Sequence, residues 1–444
     1  MGEERFFLEG ICDWKVLVPP TVYPPREDTQ LLCRAISELS RHGGKAVEIG
    51  CGSGIVSIFL ASLGWDVTSF DVNPYAVSAT RGNLERHAFP SDRVEESGVG
   101  DGLQIPDDTE LVVWNIPYLD RMNENGGLAE QMEEVALSDI PDGGWGGALL
   151  DLLSKNPKSI SPRIVVLLVL RTDPVSSSKI SEWRARGWSC RALKSDRMGN
   201  EKIEVFGMWR TGFGEEATKI ETCNSTMDEA MKLGDGGWKR VFSSMQSGGR
   251  GRRGAKWFSK EGGVFATWNL DSRLLENIPA GILQTSIGSL VSTELGAMMK
   301  WPNDIIAPDG RKMGGVLVES SEGDSIRVGV GLNRYGFDEE GISGSGWEET
   351  LGKVEAKEVF KKIDWSISSL FEDNGTLPST SLESLISISW NALSGLLSEG
   401  TAVLVDGEVM RPVGLNDMGE IEAMGSNGQE VVRDLDGPEW LLES

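Results

Sequence analysis

Short apolar runs separated by glycine turns set the pattern of the first half of the chain. Lys45-Ala46-Val47-Glu48-Ile49 predicts a strand and Gly50-Cys51-Gly52-Ser53-Gly54 a turn. A helix is predicted from Ile55 to Leu63, then a strand from Asp66 to Phe70 that ends at Asp71, and another helix after Pro74. Upstream, Tyr23-Pro24-Pro25-Arg26-Glu27-Asp28-Thr29 is stiffened by proline and leads into a helix expected from Thr29 to Ser40, with Asp28 as its cap. Downstream, the strand Leu111-Val112-Val113-Trp114 delivers Asn115-Ile116-Pro117-Tyr118, and the run from Ile164 to Leu170 reads as a buried strand. A last helix and hairpin (Ser176 to Gly187, Trp188 to Lys194, Lys202 to Trp209) predict an antiparallel closing strand. Strand, glycine turn, helix, strand and terminal acid is the order of the nucleotide-binding half of a doubly wound α/β sheet, a Rossmann-like fold.

The second half has a different rhythm. A strand from Val241 to Gln246 precedes a glycine- and arginine-rich loop. A helix from Gly281 to Ala297 carries Ile282, Ile287, Leu290, Val291 and Leu295 on one apolar stripe. Helices are expected near Ala356 to Phe371 and Ser381 to Leu397, giving an α+β domain. From Gly400 to Ser444, short apolar alternations are broken at Asp406-Gly407, Asp417-Met418-Gly419 and Ser426-Asn427-Gly428, the pattern of a small β-barrel. Thr211 to Thr218 interrupts both rhythms with glycine and charge. The expected division is a first domain over 1–212, a linker over 213–220, a second domain over 221–397 and the small barrel over 398–444.

Composition narrows the function classes. A chain of 444 residues is long enough for two or three domains. Its 68 acidic and 43 basic residues give a net charge of −25, which argues against a general nucleic-acid-binding surface while leaving room for a local cationic pocket. The five cysteines are scattered without a CxxC pair, so neither a disulfide framework nor a zinc site is expected, and a reducing cytoplasm fits. The first residues lack a signal-peptide pattern, and the longest apolar run is too short to span a bilayer; a cytoplasmic protein without a membrane partner is expected. Histidine occurs only as His42 and His87, which removes Ser/His/Asp hydrolysis and histidine-based metal catalysis from the second half.

In the first half, the form E-x-G-x-G-x-G from Glu48 to Gly54 favours S-adenosylmethionine over a dinucleotide, and Asp71 is placed to bond ribose hydroxyls. An amide or exocyclic amino nitrogen is a poor nucleophile because its lone pair is delocalised. An Asn side chain and a proline-flanked carbonyl accept its hydrogens and hold that lone pair toward the sulfonium methyl. Asn115 to Tyr118 together with Val22 to Thr29 resemble the release-factor glutamine methyltransferases of the short class, over about Tyr23 to Arg210. The resemblance implies that Glu48, Gly50, Gly52, Asp71 and Asp101 hold the cofactor with Thr29 nearby. It gives the substrate amide to Asn115, with Pro117 and Tyr118 beside it. Peptide release factor is then the implied acceptor, with a small activator subunit as a possible further partner. Ile116 departs from the family's first proline. A nucleic-acid adenine methyltransferase and an inactive docking module stay open as alternatives.

In the second half, Gly249-Arg250-Gly251-Arg252-Arg253-Gly254 concentrates positive charge on an acidic protein. Arg-Gly repeats alone read equally as nucleic-acid contacts. Around this loop, however, stand Ser225-Thr226, Gln246, Trp257, Lys300-Trp301-Pro302-Asn303-Asp304, Lys312, and the glycine-bearing runs from Gly314 to Glu319 and from Gly329 to Asn333. This ordered set resembles the biotin protein ligases over residues 221–444. The resemblance implies biotin and ATP with Mg²⁺ as substrates and a biotin carboxyl carrier protein as partner, with an SH3-like C-terminal barrel. It also implies biotin or nucleotide contacts from Ser225, Thr226, Gln246, Arg250, Gly251, Arg252, Trp257, Lys300, Asn303, Asp304 and Lys312. Arg250 and Lys312 are the catalytic candidates, and Asp304 a magnesium candidate. Met227 stands where the family carries Asn. Because a mixed anhydride hydrolyses readily, residues 249 to 254 are expected to be mobile when empty and to close over the ligand. Ligases that also repress transcription carry a winged helix before this domain, and this chain has the first-half domain there instead. The oligomeric state is left open.

Overall fold

The computed structural model describes residues 2–117, 141–155, 160–234, 236–255, 257–320, 325–339, 341–398, 401–433 and 438–441. They fall into two compact units, residues 1–214 with 374–378, and 215–373 with 379–444.

The first unit opens with an antiparallel hairpin, β1 (Gly2–Leu8) and β2 (Cys12–Val18), which the sequence reading did not anticipate. Alternation accounts for it: Phe6, Leu8, Val16 and Val18 are buried, while Arg5, Phe7 and Lys15 are exposed and Leu17 is half-buried. Then follow α1 (Glu27–Ser37), β3 (Gly44–Ile49), α2 (Ile55–Ser62), β4 (Trp65–Asp71), α3 (Pro74–Arg86), β5 (Val94–Glu96) and β6 (Leu111–Asn115). The unit is completed by α4 (Gly144–Lys155), β7 (Val165–Asp173), α5 (Ile180–Ala185), β8 (Trp188–Met198) and β9 (Glu201–Arg210). The sheet order is β5-β4-β3-β6-β7-β9-β8, with β3 to β7 parallel and β9 and β8 antiparallel at the closing edge. Strand order therefore reverses between β3 and β6, where an open α/β sheet leaves a crevice at its carboxyl edge. Along β7, Val165, Leu167 and Val169 enter one core, and Val166, Leu168 and Leu170 the other. An unbroken apolar run is what a strand covered on both faces requires.

Two expectations about the first helix are corrected. α1 begins at Glu27 with Arg26 at the cap position, so Asp28 lies inside the first turn and is buried. The helix also ends at Ser37 instead of Ser40.

The second unit contains β10 (Thr218–Ile220), α6 (Thr226–Met231), β11 (Lys239–Ser243), β12 (Val264–Asp271), α7 (Ala280–Leu295), β13 (Met298–Lys300) and β14 (Asp304–Ile306). Next come β15 (Lys312–Ser320), β16 (Ser325–Leu332), β17 (Phe337–Glu339), β18 (Ile342–Gly344), α8 (Ala356–Phe371) and α9 (Leu382–Ser398). Its main sheet runs β10-β11-β12-β16-β15-β14-β13, with the β17–β18 hairpin joined to β15. α7 is buried almost all round, including Gln284, Ser286, Ser289 and Ser292, whereas Leu290 is only half-buried, so the expected single stripe is too narrow. Small residues permit this close packing. A Cβ at Gly288 would lie 2.6 Å from Met299 Sδ, and Ser289 returns its hydroxyl to Thr285 O at 2.8 Å.

Beside α7, Asp364 of α8 accepts from Trp238 Nε1 (3.1 Å), Trp268 Nε1 (2.8 Å) and Arg240 Nε (2.8 Å) in the core. The C-terminal strands β19 (Ala402–Val405), β20 (Glu408–Leu415), β21 (Ile421–Gly425), β22 (Gly428–Val432) and β23 (Glu439–Leu441) pair antiparallel in the order β22-β21-β20-β19-β23. No helix among the described residues is long and apolar enough to cross a membrane.

Candidate functional site

In the second unit a cavity of about 390 Å³ opens over the glycine-bearing face of β15 and β16. Gly315 pairs with Gly331, and Gly329 is two residues along the same strand, so bare backbone forms one wall. The missing side chains are needed there: a Cβ at Gly331 would lie 2.9 Å from Trp257 Nε1, and one at Gly329 2.9 Å from Met227 Sδ. Met227 is buried and packs against that glycine.

Ser225, Thr226, Gln246, Arg250, Gly251, Arg252, Trp257, Lys300, Asn303, Asp304 and Lys312 all line this one cavity. Ser225 occupies the cap position of α6, yet its side chain makes no capping bond. The Thr226 N–H donates to Gln246 Oε1 (3.4 Å) and its hydroxyl accepts from Thr267 (3.0 Å). Gln246 lies past the end of β11, which stops at Ser243 and not at Gln246 as expected. Its Nε2 donates to Ser259 Oγ at 3.0 Å. The arginine loop folds back on itself, with Gly251 N donating to Ala255 O (2.6 Å) and Trp257 N to Gly249 O (3.0 Å). A Cβ on Gly249 would lie 2.7 Å from Ser259 Oγ, which explains the glycine at the loop's entry.

Two of the cations in this cavity, Arg250 and Lys312, already have carboxylate neighbours. Arg250 Nη1 lies 2.9 Å from Asp228 Oδ1, and its Nε 3.6 Å from Glu319 Oε1. Lys312, the first residue of β15 and not a turn residue, has Nζ 2.5 Å from Asp304 Oδ1 and 5.2 Å from the centre of the Trp257 ring. Asn303 Nδ2 donates to Val316 O at 3.0 Å. Trp257 Nε1 is shielded from solvent, lies against the Gly331 backbone and has no hydrogen-bond partner among the described residues. Trp301 is buried and structural, its Nε1 donating to Gly419 O at 2.8 Å.

Sequence reasoning missed Asp228, Glu319, Ser259 and the cavity-lining Pro438 and Trp440. Asp228 carried a signal, three residues after Ser225 at a helix start. Trp440 carried none, since nothing local ties β23 to this cavity. Among the described residues no group of three or more His, Cys, Asp or Glu side chains is arranged to hold a metal ion. Asp304 is the one carboxylate among the described residues that line the cavity.

In the first unit the glycine turn joins β3 to α2 at the sheet's reversal. Gly50, Gly52 and Gly54 have φ of 69°, 51° and 80°, which favours glycine at each. The N–H groups of Gly50 and Cys51 donate to Phe70 O at 2.8 and 3.0 Å, fixing the turn to the end of β4. There Asp71 Oδ2 accepts from Gly52 N and Oδ1 from Asn73 N, both at 2.9 Å. Burial raises the Asp71 carboxyl above its ordinary range, against the pull of those two bonds. Asp101 is exposed in the turn after β5, and Ser97 N donates to Asp71 O at 3.0 Å, which sets that turn beside Asp71.

Glu48 is buried under the turn, where Ser57 donates to its carboxyl, and burial pushes its pKa up to about 8. Asn115 ends β6, with Nδ2 donating to Asp28 Oδ2 at 3.0 Å. Thr29 is buried, and its N–H (2.6 Å) and hydroxyl (3.2 Å) both donate to Asp28 Oδ1. Ile116 is buried in the same core as Leu149, and Pro117 is exposed. Tyr118 lies outside the described residues.

Both halves have relatives of known kind. Residues 25–146 match the methyltransferase small domain and residues 234–333 the biotin/lipoate A/B protein ligase family. A biotin–[acetyl-CoA-carboxylase] ligase of Paracoccus denitrificans is 32% identical over 131 residues, covering 27% of this chain and 54% of that protein. A ribosomal RNA small subunit methyltransferase C of Alcanivorax borkumensis is 30% identical over 101 residues, covering 23% of this chain and 30% of that protein. The chain thus spans about half the length of the first and under a third of the second. A solved biotin protein ligase from Aquifex aeolicus, in complex with biotin and ATP, is similar at 23% identity and a TM-score of 0.39, covering 52% of this chain and 100% of that one. One chain here carries a methyltransferase small domain followed by a domain of the biotin/lipoate A/B protein ligase family.

Proposed function

We propose that the chain is a bifunctional enzyme that attaches biotin to a lysine of a biotin carboxyl carrier protein and methylates a protein amide from S-adenosylmethionine. The first activity is assigned to residues 221–397 with an SH3-like barrel over 398–444. The second is assigned to residues 1–212; of the join expected over 213–220, Thr218–Ile220 form β10 of the second unit's sheet. The observation that carries the ligase reading is the convergence of Arg250, Lys312, Asp304 and the Ser225-Thr226 helix start on one cavity.

Adenylation brings a carboxylate up to a triphosphate, so two anions must meet. Arg250, Arg252 and Lys312 supply the charge that offsets their repulsion, and a guanidinium can hold two oxygens at once. The carboxylate oxygen attacks the α-phosphorus, the bond to pyrophosphate breaks, and biotinyl-adenylate remains. As substrate anions arrive, they take the places of Asp228 and Glu319 beside Arg250, and a phosphate takes that of Asp304 beside Lys312. Asp304 would be the carboxylate to hold a magnesium ion accompanying ATP, and that ion would supply further positive charge to the phosphates. In the second step a carrier lysine attacks the acyl carbon and AMP leaves. The 249–254 loop keeps water out between the steps. Incubating the full chain with biotin, ATP and an isolated carrier domain tests this: the carrier should gain one biotinyl group, and an unchanged carrier mass would sink the reading.

For the first half, Gly50, Gly52, Asp71 and Asp101 are assigned to S-adenosylmethionine, and Asn115 with the Pro117 carbonyl to the acceptor nitrogen. A release-factor glutamine is the proposed acceptor. A nucleic-acid acceptor is the second reading, favoured by the ribosomal RNA methyltransferase among the relatives. Labelled methyl counted on a release-factor peptide and on a ribosomal RNA fragment separates the two.

A further inference from the structure

We propose that Asp28 is a positioning residue for methyl transfer: it sets the orientation of the Asn115 amide and leaves its carbonyl oxygen to receive the acceptor nitrogen's hydrogen. The inference rests on the methyl-transfer reading of the first unit.

A primary amide presents an acceptor on one side and donors on the other, and half a turn exchanges them. At Asn115 the exchange is blocked. Its Nδ2 donates to Asp28 Oδ2 at 3.0 Å, and a carboxylate oxygen offers no hydrogen to an amide oxygen in that place. Oδ1 is therefore the atom that faces away from Asp28. It is shielded from solvent and has no hydrogen-bond partner among the described residues. Buried amide oxygens are ordinarily paired, so an orphan at the carboxyl end of a strand beside the sheet's reversal marks a place where a donor is to arrive.

Asp28 is itself held. It is buried in the first turn of α1, where the helix N-terminus favours a negative charge. Both the N–H and the hydroxyl of Thr29 fix Oδ1, which leaves Oδ2 directed to Asn115. The chain Thr29, Asp28, Asn115 gives a physical reason for the proline-bounded segment and the Asn115 motif to occur in one protein. Thr29 then acts by holding this carboxylate.

Asp28→Asn keeps the shape but offers the Asn115 amide a partner that serves either orientation. Two measurements on the full chain decide the matter. The first follows the side-chain amide signals of Asn115, assigned by their loss in Asn115→Ala, in chain labelled with ¹⁵N-asparagine. In the parent one of its two hydrogens should be displaced by the carboxylate bond, and in Asp28→Asn that displacement should disappear. An unchanged signal overturns the proposal. The second measures methyl transfer to a glutamine-bearing release-factor peptide. kcat should fall about tenfold or more in Asp28→Asn, while the affinity for S-adenosylmethionine stays within about twofold. Thr29→Val should lower kcat, and the conservative Thr29→Ser, which keeps the hydroxyl, should lower it less. Equal kcat in Asp28→Asn and the parent overturns the proposal, as does a loss confined to cofactor affinity. Should the parent transfer no methyl to the peptide, the acceptor reading fails by itself, and the amide signal still decides the role of Asp28.

Discussion

Arg250 is more than a third exposed and sits between two carboxylates, so it contributes little to stability and its charge is available for exchange. Removing it should therefore act on chemistry. Arg250→Ala is expected to lower biotin-dependent pyrophosphate exchange by about a hundredfold or more, the loss typical of one preorganised donor at a developing charge, with unfolding unchanged. Parent-level exchange would remove the arginine loop from the mechanism. Glu48 behaves in the opposite way, because it is buried. Its folded pKa of about 8 lies above the ordinary value of 4.5. Between those two values the folded state keeps a proton that the unfolded state has lost, so stability falls as pH rises through this window. Glu48→Gln should flatten the fall between pH 5 and pH 8 by on the order of a few kcal/mol, read from denaturation midpoints. A parent slope equal to the variant's would mean that Glu48 is ionised in the fold. The residue types at both sites were legible because chemistry demands them locally. One counter-ion was not: Glu319 is far along the chain from Arg250, and no local pattern ties them.

Whether an element could be read depended on whether one face or two had to be covered. β7 and the turn after β3 declared themselves through an unbroken apolar run and through glycines in sequence. The β1–β2 hairpin buries only alternate residues and was passed over. α7 looked amphipathic, since its serines count as polar in a pattern although their hydroxyls are satisfied inside the helix. Glycines separate the same way, into those that only bend the backbone and those that also make room. Gly54 has φ 80° and a Cβ there would lie 2.9 Å from Thr80 Cα, whereas Gly64 has φ 91° with nothing within 4 Å of its Cβ position. Gly64→Ala should lose about 1–2 kcal/mol from the left-handed conformation alone. Gly54→Ala should lose roughly 3 kcal/mol or more, since α2 and α3 must also separate. Equal losses in urea titrations would show that the helix contact is soft.

Across the whole chain, a net charge of −25 bears on the choice of methyl acceptor. A polyanion approaching such a protein is repelled at long range, and the repulsion weakens as salt rises and the screening length shortens. A nucleic-acid enzyme shows the reverse, because its basic face releases counter-ions and binding falls steeply with salt. An amide on a protein carries no such charge and is indifferent to either trend. Methyl transfer to the release-factor peptide is therefore expected to change less than about twofold between 50 and 200 mM salt, with none to a ribosomal RNA fragment at either concentration. RNA methylation that is strong at low salt and fades toward high salt would require a basic face in the first unit despite the chain's acidity. The order of motifs cannot make this choice, because Asn115 and its neighbours serve an amide and a base alike. The distribution of charge can, since a flipped base arrives with its phosphates and a glutamine side chain does not.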